Sequence, residues 1–89
     1  MGTTSNTWTL DGLVTLGEAQ EYPIVIIAQH TTEGWQVAVH GPGIKEFEFS
    51  PGHIMSDKIA SYCVFQLRWR LRFWGKIEIR GEWQPSQVA

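Results

Sequence analysis

Between Phe65 and Trp83 the apolar residues fall on odd positions: Phe65, Leu67, Trp69, Leu71, Phe73, Ile77, Ile79 and Trp83, with Gly75 and Gly81 in the odd gaps. The even positions carry Gln66, Arg68, Arg70, Arg72, Trp74, Lys76, Glu78, Arg80 and Glu82. A period of two is the mark of a strand with one face on a core and the other toward solvent. The pattern predicts a long bent strand, or a hairpin turning over Trp74, Gly75 and Lys76, since apolar parity is the same in both. A helix competes for the first part of this stretch. Ala60, Val64, Leu67, Leu71 and Trp74 fall at helical spacing, with Ser56 as a candidate cap and Gly75 as a candidate stop. That helix would leave Phe65, Trp69 and Phe73 as a second apolar stripe, and Tyr, Val, Phe and Trp favour strands, so the strand is the preferred reading.

The rest of the chain reads as short strands separated by turns. Trp8, Leu10, Val14 and Leu16 take even positions across Gly12, which predicts a first strand with a bulge or bend at that glycine. The continuous apolar run Pro23–Ala28 has the pattern of a central strand covered on both sides. After a loop at 30–34, Trp35, Val37 and Val39 alternate with Gln36, Ala38 and His40, and Gly41-Pro42-Gly43 ends that strand. Residues 44–50 put Phe47 and Phe49 on one face and Glu46 and Glu48 on the other. Pro51-Gly52 opens a short crossing, with one helical turn expected after Ser56 and Asp57. These elements predict an all-β protein: a small curled antiparallel sheet or barrel, SH3-like or OB-like, of five to six strands with at most one short helical turn. An open sheet completed by a partner chain is the second choice. The expected organisation is a flexible amino terminus over 1–6, a single β domain over 7–83 and a flexible tail over 84–89.

With 89 residues, 43% of them hydrophobic, and five Trp, the chain holds one domain with an aromatic-rich core. Its single cysteine, Cys63, excludes an internal disulfide and fits a reducing compartment, so the expected location is cytoplasmic. No apolar run reaches the length of a membrane span, and the amino terminus lacks the features of a secretion signal. The net charge of −2 conceals a split. Residues 1–57 carry Asp11, Glu18, Glu21, Glu33, Glu46, Glu48 and Asp57 against Lys45, whereas residues 58–89 carry Lys58, Arg68, Arg70, Arg72, Lys76 and Arg80 against Glu78 and Glu82.

Catalytic and metal-binding patterns are absent from the sequence. His30, His40 and His53 are too widely spaced for a local metal motif. Cys63 lacks an adjacent base and reads as a small buried residue. Gly41-Pro42-Gly43 lacks the lysine of a phosphate loop. No cofactor is expected, and the chain reads as a non-enzyme. The candidate surface is the even face of the ribbon: Arg68, Arg70, Arg72, Trp74, Lys76 and Arg80. Trp and Arg dominate protein-interface hot spots, which makes a protein partner the first expectation. The same residue types stack bases and contact phosphates, which makes single-stranded RNA or DNA the alternative. The segment Lys76-Ile77-Glu78-Ile79-Arg80-Gly81-Glu82 resembles the RNA-contacting strand of the tryptophan-activated RNA-binding attenuation proteins, with Glu78 where that family carries a basic residue. Pairing of Glu46 and Glu48 with the arginine row in one sheet would instead make these residues an ordinary solvated face. The same charges, meeting between copies, predict weak salt-dependent self-association.

Overall fold

The computed structural model describes residues 7–18 and 20–85. Within them five strands form one antiparallel sheet: β1 (Thr7–Leu16), β2 (Gln20–Thr31), β3 (Gly34–Gly41), β4 (Ile44–Gly52) and β5 (Ile77–Pro85). The strand order is β4-β3-β2-β1-β5. A 3-10 turn, Ser56–Lys58, leads into a 13-residue helix, α1 (Ile59–Leu71), which joins β4 to β5. The all-β class, the antiparallel sheet and the strand number agree with the sequence. The sheet is open, and the helix is several times longer than the single turn expected.

The helix follows from the connectivity. β4 and β5 lie on opposite edges, so the chain between them must cross the whole sheet. Four strand spacings come to about 19 Å, and 13 helical residues come to about 20 Å. On its way α1 covers the apolar side of the sheet, burying Ile59, Cys63 and Leu67 against Leu10, Val14, Ile24, Ile26, Ala28, Val37, Val39 and Phe47. Leu67 is wholly buried, and removing a leucine side chain from water stabilises a fold by about 1.5–3 kcal/mol. The registers align Trp83, Leu10, Ile26, Val39 and Phe47 in one row across all five strands beneath the helix. Trp35 is buried at the end of β3 and donates its indole N–H to the Ile54 carbonyl at 3.0 Å, which pins the segment leading into the helix.

Several local expectations hold. Gly17 (φ +67°) and Gly34 (φ +115°) serve the tight β1–β2 and β2–β3 turns, where a positive φ favours glycine. The Thr31 hydroxyl donates to the Gly34 carbonyl at 2.8 Å and accepts from the Glu33 amide at 3.2 Å, closing the second of these turns. β2 is the middle strand of the five, as its apolar run predicts.

Others are corrected. Residues 65–71 are helical rather than part of a ribbon, and β5 begins only at Ile77. Gly12 marks no bulge: β1 pairs with β2 and β5 in unbroken register, and the glycine is needed because a Cβ there would run into the Arg80 carbonyl across the ladder. Gln84 and Pro85, expected in the tail, pair with Thr9 and Trp8. The expected flexible ends 1–6 and 86–89 lie outside the described residues. Among the described residues no second layer lies over the odd positions of β2, so it is covered on one side alone: Ile27 stays 37% exposed. The core is mainly aliphatic, with Trp8, Trp69 and Trp74 each more than a third exposed. β4 and β5, at opposite edges, do not bring Glu46 and Glu48 to the basic residues, so the expected cross-strand pairs do not form.

Candidate interaction surface

In a helix, residues four apart lie one above the other. Ile59, Cys63 and Leu67 make one such stripe, turned to the sheet. Tyr62, Phe65 and Trp69 make another, on the far side of the helix, at spacings of three and four. Phe65 and Trp69 are both 56% exposed and Tyr62 is 41% exposed. Their rings are organised rather than scattered. Phe65 and Trp69 meet edge to face at 6.2 Å, and Trp69 meets Trp74 edge to face at 5.1 Å.

Trp74 lies beyond the helix and is 65% exposed. Its outward placement agrees with the alternation, although the backbone is not a strand. The loop that carries it is fixed by the helix C-terminus. Arg72 adopts the left-handed conformation (φ 52°, ψ 43°), so the chain reverses, and the Phe73 amide donates to the Arg68 carbonyl at 3.2 Å. The Arg68 guanidinium then donates to the carbonyls of Phe73 at 3.1 Å and Gly75 at 2.8 Å, on either side of Trp74. Phe73 packs against the core, and the Gly17 amide donates to the Lys76 carbonyl at 2.7 Å. Trp74 is therefore held at both ends of its loop.

The six sequence-selected residues separate into groups. Arg68 positions the loop. Arg70 stands 4.3 Å over the Phe47 ring, a cation–π contact at the helix margin. Arg72 is exposed at the cap. Lys76 and Arg80 both turn to Glu78, at 3.5 Å and 2.8 Å, and their partner's carboxyl is held below its ordinary range, first by the hydrogen bond from Arg80 and then by the two positive charges. Successive even residues that share one face of a strand fan out by about 200° per step on a helix, so the continuous basic row does not exist. Tyr62, Phe65 and Trp69 were missed as surface residues because alternation assigns Phe65 and Trp69 to the inward side. Their spacing of three and four fits one helix face, but by itself it does not separate that helix from a strand.

The other reactive side chains have structural settings. Cys63 is fully buried, and desolvation pushes its thiol up to about 12, which suppresses the nucleophilic thiolate. His30 stacks on Trp35 at 4.5 Å, with His53 edge-on to it. Among the described residues no group of three or more His, Cys, Asp or Glu is placed to hold a metal ion, and no helix is long and apolar enough to cross a membrane. No family model, curated protein or solved structure matches the chain.

Proposed function

We propose that this protein is a non-catalytic interaction module that docks a protein partner through the outer face of α1 and the loop after it. The observation that carries the reading is the contact series Phe65–Trp69–Trp74, each more than half exposed, on the helix and the loop after it, while the opposite side of the helix packs on the sheet. A surface helix ordinarily turns charged and polar residues to the side opposite its buried stripe, whereas α1 turns Tyr62, Phe65 and Trp69 there. With aromatic side chains of about 150–250 Å² each, the three exposed rings present on the order of 400 Å² of apolar surface. That is the size of the largest apolar patch on a typical monomer, a patch that is often an interface. Arg72, exposed at the cap of α1, supplies part of the polar margin that interface cores carry.

The test is capture by the immobilised full chain from a native lysate. Replacing both Trp69 and Trp74 by Ala should leave the circular dichroism spectrum unchanged and abolish the captured species, since interface tryptophans contribute about 2 kcal/mol or more each, roughly thirty-fold in affinity. Unchanged capture, or loss of the fold, refutes the reading. Single-stranded nucleic acid is the alternative. That reading needs a continuous basic row, whereas Lys76 and Arg80 turn to Glu78 and Arg70 lies over Phe47, which leaves Arg72 exposed near the rings. Oligonucleotide binding that weakens steeply with salt would restore it.

A further inference from the structure

The same chain carries a second uncovered apolar surface, on the face of the sheet that α1 does not touch. There the registers place Ile27 between Ala38 and Thr9, Val25 between His40 and Asp11, and Leu13 between Pro23 and Arg80. Ile27 and Leu13 are 37% and 39% exposed. An antiparallel sheet with one face in water normally alternates apolar and polar residues, whereas the middle strand here is apolar on both sides. Carboxylates stand among and beside these residues. Asp11 on β1 and Glu82 on β5 stand directly opposite one another, an arrangement that is unfavourable until a cation reaches it. Glu48 on β4 stands opposite Ala38. Arg80, opposite Leu13, is already hydrogen-bonded to Glu78.

The helix side has the opposite charge. α1 contains no Asp or Glu, and Arg72 is exposed at its C-terminal cap, where the loop carrying Trp74 begins. Resting on the docking face proposed above, we propose that its partner is a second copy of this chain, whose uncovered sheet face receives the aromatic patch. The aliphatic residues meet the aromatic rings, and Arg72 meets the carboxylate pair of Asp11 and Glu82. A symmetric helix-to-helix pairing would instead bring the two Arg72 charges together without a carboxylate between them. The two surfaces lie on opposite sides of one sheet, so they cannot meet within a copy. Copies join head to tail, into a ring or a short chain rather than a two-fold dimer.

Light scattering of the full chain should show a mass that rises with protein concentration and falls as salt is added. Trp74→Glu disables the helix face and Ile27→Lys disables the sheet face, so each variant alone should be monomeric. Mixed together they should form a one-to-one dimer, because each retains the surface the other has lost. Leu13→Lys serves in place of Ile27→Lys if the latter unfolds by circular dichroism. Self-association unaffected by the sheet-face substitution, or a mixture that stays monomeric, overturns the inference. So does a wild-type chain that is monomeric at every concentration. In that last case, capture of a different protein that still requires Trp69 and Trp74 leaves the docking face standing and rejects the second copy as its occupant.

Discussion

The Arg68 guanidinium donates to the Gly75 carbonyl oxygen at 2.8 Å, seven residues further along the chain, and to the Phe73 carbonyl at 3.1 Å. These bonds tie the helix end to the loop on both sides of Trp74, so an arginine outside the aromatic patch sets the patch's shape. Arg68→Met keeps most of the aliphatic stem and removes both bonds. It should lower unfolding free energy by about 1 kcal/mol, read as a lower urea midpoint. Amide exchange at Phe73 should quicken, and binding through Trp74 should weaken although Arg68 itself need not touch the partner.

Arg72 is the single non-glycine residue at positive φ among those described, and it ends α1. A left-handed L-residue costs roughly 1–2 kcal/mol, which glycine avoids. Arg72→Gly should therefore stabilise the protein by about 1 kcal/mol, raising the melting temperature by about 4–8 °C for a domain of this size. Arg72→Ala removes the same charge without relieving the backbone and should give no such gain. Scanning calorimetry on the two variants separates the effects.

The Gly12–Gly81 pair lets β1 and β5 approach where a Cβ at Gly12 would strike the Arg80 carbonyl. Backbone cannot swing aside as a side chain can, so Gly12→Ala should destabilise by about 1–3 kcal/mol, measured by denaturant titration. Amide exchange should rise along β5 first, since β5 is an edge strand held to the sheet by β1 alone.

Cys63 makes stability depend on alkaline pH. Its thiol ionises at about 12 in the folded chain against an ordinary value of 9.0. Between these values the unfolded state releases a proton that the folded state keeps, so stability is unaffected below pH 9 and falls as pH rises toward 12. Cys63→Ala should flatten the slope over that window while lowering stability at neutral pH, because it leaves a small void beneath the helix. A thiol reagent at pH 8 should label the wild-type chain only as fast as it unfolds.

Strand composition alone determined most of the sheet. The alternation of Trp35, Val37 and Val39, the apolar run of β2 and the Gly-Pro-Gly stop are local signals, set by the pleat and by turn stereochemistry. Helix α1 was misread for a reason that is also local. Its two apolar stripes, Ile59-Cys63-Leu67-Leu71 and Phe65-Trp69, advance by four, and a step of four preserves odd parity, so together they imitate the period of a strand. Periodicity cannot separate these cases, because the helical stripes are both apolar and the polar residues fall on the same even positions either way. Tertiary structure separates them through a requirement no window of sequence contains. Four strands already laid out as a meander need a cover for one apolar face, and the chain must cross that face to reach the free edge of β1. A helix meets both demands and forces one of its two stripes out into solvent. The exposure of Phe65 and Trp69, and hence the candidate docking face, was decided by that crossing.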